Sequence, residues 1–137
     1  SMKLRKQLLD IPLMDRFVYD ELNDIVYSNM SGLDIENSEE LGNFSDAANA
    51  FFSQLGKKVN IISNYDGVSI SPRLASRFAN VLSQLEYDYY LTSTAYTTSA
   101  FLRQKLGEDL KQRSISPHIF ETRKEAAAYI QMIKAAE

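Results

Sequence analysis

The stretch Val59-Asn60-Ile61-Ile62-Ser63-Asn64-Tyr65-Asp66-Gly67-Val68-Ser69-Ile70-Ser71-Pro72 decides the fold. Val59, Ile61 and Ile62 form a short apolar run without strict alternation, the pattern of a strand covered on both faces. The following residues are turn formers that end at Ser71-Pro72. A serine before a proline at the first helical position predicts a helix start with Ser71 as N-cap. A buried strand that passes through a loop into a helix is the repeating unit of an α/β sheet. Ligands of such sheets sit beyond the carboxyl ends of the strands.

Upstream, Asn37 with Glu40 three residues on fits a capping box. The helix it opens carries Leu41, Phe44, Ala48, Phe51, Phe52 and Leu55 at helical spacing and stops at Gly56. Before it, Arg16 to Tyr19 and Ile25 to Ser28 are β-branched and aromatic runs around the turn-rich Asp20–Asp24, which predicts a hairpin closed by Gly32 and Asp34. Downstream, the helix after Pro72 buries Leu74, Phe78, Val81, Leu82 and Leu85. Tyr87 to Leu91, with three tyrosines, reads as a strand. Thr92 to Ser99 reads as a loop whose Thr97, Thr98 or Ser99 caps a helix packed through Phe101 or Leu102, Leu106 and Leu110. His118 to Phe120 is a short strand, and Thr122 with Glu125 is a second capping box. It opens a last helix with Ala126, Tyr129, Ile130 and Ile133. The order β-β-α-β-α-β-α-β-α predicts a small mixed sheet with helices packed on it, parallel apart from the hairpin.

The chain has 137 residues, 45% hydrophobic and 24% charged, the proportions of one globular domain. Residues 15–137 form that domain. Ser1-Met2 reads as a cloning remnant ahead of Lys3, and residues 1–14 as a linker or docking arm belonging to something longer. Cysteine is absent, which removes disulfides and thiol chemistry and fits a reducing, cytoplasmic setting. No apolar run reaches the ~20 residues of a membrane span. The net charge of −3 argues against a nucleic-acid binder. Within residues 10–46, ten acidic groups face one basic group, Arg16. That is a solvated acidic face or a docking surface for a basic partner.

No self-contained catalytic constellation is visible. Gly56, Gly67 and Gly107 stand alone, so no phosphate or dinucleotide loop is present. One histidine, His118, without cysteine makes a transition-metal site unexpected. Two segments that leave strand ends are the candidate ligand or partner edge: Asn64, Tyr65, Asp66 and Ser71 in the first, and Thr97, Thr98, Ser99 and Arg103 in the second. Free helix N–H groups, hydroxyls and a guanidinium could hold a small anion there. The same threonines and serines also serve simply to cap a helix. If the edge binds a ligand, Tyr65 would stack or hydrogen-bond, Asp66 would orient it and Arg103 would pair with its charge.

The element order resembles the STAS fold of anti-sigma-factor antagonists and anion-transporter tails. That family's phosphorylated serine lies in an Asp-Ser-Ser/Thr-Gly motif at a helix start. Here the region reads Asn64 to Pro72, and Ser71 matches by position alone. A second resemblance rests on four stretches: Asp15-Arg16-Phe17-Val18-Tyr19-Asp20, Val59 to Gly67, Tyr96-Thr97-Thr98-Ser99-Ala100-Phe101-Leu102-Arg103-Gln104-Lys105-Leu106-Gly107, and Pro117-His118-Ile119-Phe120-Glu121-Thr122. Together they are similar to the C-terminal extension of bacterial acetate/3-ketoacid CoA-transferase-like proteins, family I CoA-transferases. Those enzymes form a glutamyl-CoA thioester using glycine-rich oxyanion and CoA loops, none of which is in this chain. The resemblance therefore implies a non-catalytic regulatory or interaction domain that holds no cofactor of its own. CoA chemistry would belong to a fused catalytic portion or protein partner. The alternative is a stand-alone STAS-like regulatory or anion- or lipid-binding protein.

Overall fold

The computed structural model describes residues 11–112 and 118–137; most of the arm expected over residues 1–14 lies outside them. The hairpin forms as β1 (Phe17–Asp20) and β2 (Ile25–Asn29), paired antiparallel with Phe17 opposite Ser28. Its turn places Asp24 at φ 53°, a conformation that aspartate tolerates better than most residues. The Asp24 carboxylate is fixed there by the Tyr19 hydroxyl at 2.7 Å and the Lys57 ammonium at 2.9 Å.

Helix α1 (Ser38–Leu55) begins as its sequence requires. The Asn37 side chain accepts the Glu40 N–H at 2.9 Å, while Glu40 returns its carboxylate to the Glu36 N–H. Gly56, at φ 65°, ends it in the left-handed region that glycine enters without steric cost. Strand β4 (Val59–Asn64) pairs in parallel with β2 on one side and with β6 (Tyr90–Tyr96) on the other. The sheet order is β1-β2-β4-β6-β7, with β7 being Ile119–Phe120. The expected α/β architecture is thus present as a mostly parallel five-stranded mixed sheet.

A main core joins the sheet to α1 and α2 (Ala75–Tyr89) through Val26, Ile61, Phe44, Phe52, Phe78 and Leu85. Leu102 of α3 (Ala100–Gln112) packs on this core, whereas Phe101 is exposed. The side chains of Leu106 and Leu110, expected beside them, lie outside the described residues. On the opposite face α4 (Arg123–Ala136) buries Ala126 and Ile130 against Ile25 and Ile62. The Thr122–Glu125 capping box that starts α4 is fully formed.

Three expectations need correction. Of Tyr87 to Leu91, expected as a strand, only Tyr90 and Leu91 are one: α2 continues to Tyr89 and β6 begins at Tyr90. The helical stripe Phe78, Leu82, Leu85 extends to Tyr89, whose ring stacks on Phe52 and whose hydroxyl donates to Asn49. Packing at helical spacing overrides the β propensity of the tyrosines. In consequence Thr92 to Tyr96 is strand rather than loop, and only Thr97–Ser99 turns into α3. Ser71 does not cap through its side chain. Its N–H donates to the Ile35 carbonyl, Pro72 opens one 3-10 turn, and the α-helix proper starts at Ala75. Finally, Asp34–Ile35 (β3) and Ser69–Ile70 (β5) form an extra two-stranded parallel ribbon where only loop was expected.

Candidate functional site

The carboxyl edge of the sheet is built on the end of β4. Asn64 accepts the Asp66 N–H on its side chain at 2.9 Å, a local turn that aims Asp66 across the edge towards β6. Gly67 (φ 67°) and Gly32 (φ 72°) let this turn lie against the one after β2, where the Gly32 N–H donates to the Asp66 carbonyl at 2.9 Å. The Asp66 carboxylate then reaches the start of α3. One oxygen, Oδ1, accepts from the Thr97 hydroxyl at 3.0 Å, the Thr98 N–H at 2.8 Å and the Thr98 hydroxyl at 3.2 Å.

These contacts determine what the edge can do. The Thr97 and Thr98 hydroxyls and the Thr98 N–H, expected as donors to an external anion, already serve an internal one. Arg103 is also engaged: its Nη1 donates to the Thr97 carbonyl at 2.6 Å. Ser99 is the N-cap of α3, accepting the Leu102 N–H at 3.1 Å. Of the expected edge residues, Asn64, Asp66, Thr97, Thr98, Ser99 and Arg103 therefore form one hydrogen-bonded rim. Ser71 lies apart, tied to β3. Tyr65 turns inward and is buried, while its N–H donates to the Tyr96 carbonyl at 3.0 Å.

Beneath the rim lies a feature that the sequence reading missed. Register aligns Ser28 of β2 with Ser63 of β4, and Ser63 with Ala95 of β6. Three small side chains in a row at the centre of a parallel sheet leave space under the helices. That space is a cavity of about 40 Å³, bordered by Tyr65, Leu82, Glu86, Tyr90, Ser93 and His118, among others. Burial pushes the Tyr65 hydroxyl up to about 12, despite its hydrogen bond with Ser63, and the Tyr90 hydroxyl is pushed well above its usual value. The Glu86 carboxyl is raised by burial too, an effect that His118 partly opposes. His118 Nε2 lies 3.0 Å from the Tyr129 hydroxyl, and the two rings stack at 4.4 Å, which ties this corner to α4. The only sequence signal for the cavity was the serine inside the apolar run Val59–Asn64.

Arg16, the single basic group of the acidic stretch, is also buried. Its guanidinium donates to the carbonyls of Asn29 and Ser31, both at 3.0 Å, and so fastens the segment before β1 to the end of β2. Among the described residues no cluster of three histidine or carboxylate side chains is placed to hold a metal ion. Among them, too, no helix is long and apolar enough to cross a membrane. Comparison of the chain with protein-family models, curated proteins and solved structures found no match in any of the three.

Proposed function

We propose that this chain is a non-catalytic, STAS-like regulatory or interaction domain at the C-terminus of a family I CoA-transferase, and that it works through the carboxyl rim of its sheet. The parent protein would transfer CoA between carboxylic acids, and its acyl-CoA intermediates would be handled outside this domain. The observation that carries the reading is the convergence of three of the four stretches on which the resemblance rests. Asp66, in the second stretch, is hydrogen-bonded to Thr97 and Thr98 of the third. The Thr97 N–H donates in turn to Phe120 of the fourth at 3.0 Å.

A rim of this kind suits docking better than catalysis. Its polar groups are spent on one another, so the loops are held in one shape before any partner arrives, and pre-ordering lowers the entropy lost on association. Exposed Thr98 and Ser99, with half-buried Asn64 and Arg103, would then meet the partner.

The test begins with the reading frame upstream of Lys3. Where it encodes a CoA-transferase, the catalytic portion is titrated calorimetrically with this domain and with its Asp66→Ala variant. Saturable binding that the variant weakens is the expected result. A native start codon at this point would favour a stand-alone regulatory protein, and absence of binding would remove the docking role.

A further inference from the structure

We propose that the cavity bordered by Ser63, Tyr65, Glu86 and Tyr90 is a binding site for a small amine in its ammonium form, with Glu86 as the counter-ion. This goes beyond the docking reading of the rim and does not depend on it.

The space is a consequence of sequence and register. Interior strands of parallel sheets are ordinarily filled by branched apolar residues. Here Ser28, Ser63 and Ala95 align instead on three neighbouring strands, and the helices above bring Phe44, Leu82 and Glu86 to the border of the space that is left. The lining is mixed: the hydroxyl-bearing Ser28, Ser63, Ser93, Tyr65 and Tyr90 border it beside the apolar Phe17, Met30, Phe44, Leu82 and Ile119. A hydroxyl oxygen that already takes part in one hydrogen bond, as Tyr65 and Ser63 do with each other, keeps a lone pair, so the hydroxyls of the lining can still accept from a donor placed in the void.

Charge selects the occupant. Glu86 is the one carboxylate of the lining, which contains no lysine or arginine. The groups that act on Glu86 electrostatically are His118, Tyr65 and Tyr90; the tyrosines are neutral at physiological pH, and the His118 ring already contacts Tyr129. An entering anion would meet Glu86 as a like charge. An ammonium group would meet an opposite charge, with hydroxyl oxygens to accept its remaining N–H bonds. Size narrows the class further. About 40 Å³ is room for about three water molecules, enough for ammonium or methylammonium and too little for a bulky quaternary amine.

The experiment titrates the whole chain with methylammonium chloride against sodium chloride at equal ionic strength, following backbone amide shifts. Saturable shifts at Ser63, Tyr65 and Tyr90 in the millimolar range are expected. Tetramethylammonium should leave these amides unmoved, and Glu86→Gln should weaken binding by about tenfold or more, as loss of a charge-assisted contact does. The size series is read on the unaltered chain, so the test stands even if the variant folds poorly. Shifts that stay linear and match sodium chloride would mean that the cavity takes water alone, and would overturn the proposal. So would an equal response from a folded Glu86→Gln variant, or saturation of the same amides by acetate.

Discussion

Asp66 Oδ1 lies 2.8 Å from the backbone nitrogen of Thr98, across 32 positions of sequence. This contact joins the turn after one central strand to the helix start after the next. It also places a fixed carboxylate where an α/β sheet would otherwise offer a helix N-terminus to a ligand.

Replacing Asp66 should therefore loosen the rim before it unfolds the domain. Hydrogen bonds to a charged acceptor contribute about 1.5–3 kcal/mol. Asp66→Ala, which leaves buried Thr97 without this acceptor, should cost about that much in urea denaturation. Asp66→Asn, which keeps one carbonyl oxygen, should cost less. Amide hydrogen exchange at Thr98 and Ser99 should accelerate in both variants, while the buried amides of β4 keep their protection.

The same contact predicts indifference to anions. With the Thr97 and Thr98 donors on Asp66 and the Arg103 Nη1 on a carbonyl, phosphate, CoA and nucleotides should leave the amide shifts of residues 97–103 unmoved. A saturable shift there would show that the helix start still takes an external anion. Asp66→Ala should be the variant that gains any such response.

Glu86 gives a pH dependence whose sign follows from its environment. Burial raises its pKa in the folded chain above the unfolded value of about 4.3. The folded state therefore binds the Glu86 proton more tightly than the unfolded state does. The stability this contributes is fully present below the unfolded pKa and is lost as pH rises through the folded one. Glu86→Gln should abolish that decline, so denaturant midpoints of the two proteins should diverge in favour of the variant as pH rises above the unfolded value.

Tyr65 acts in the same direction at alkaline pH. Its hydroxyl ionises near 12 rather than 10 in the folded chain, so stability should fall as pH climbs through that interval. Absorbance titration should show Tyr65 and Tyr90 ionising last and together with unfolding. Tyr65→Phe should remove one of these late steps.

The sequence made the elements legible where local chemistry and packing agree. Asn37, Gly56 and the Thr122–Glu125 pair marked helix ends correctly because each acts on backbone groups a few residues away. The apolar run at Val59–Ile62 identified the central strand for the same reason. The strand was expected three residues too early, at Tyr87 rather than Tyr90, because two periodicities compete there: the residues favour a strand, but Tyr89 completes a helical stripe whose partner, Phe52, lies far away in sequence. The rim residues were found as a set, yet their mutual bonding was not, since nothing local pairs Asp66 with Thr98. The Ser28–Ser63–Ala95 row was equally hidden, because it exists only once three strands are in register.

The central claim, a non-catalytic domain serving a CoA-transferase, is tested most directly on the product of the full reading frame. Incubation with an acyl-CoA, followed by mass spectrometric mapping of the trapped thioester, locates the reacting carboxylate. The adduct is expected upstream of residue 15, with neither transfer nor hydrolysis of acyl-CoA by residues 15–137 alone. An adduct on a residue of this domain, turnover by the isolated domain, or a full-length product that forms no thioester would contradict it.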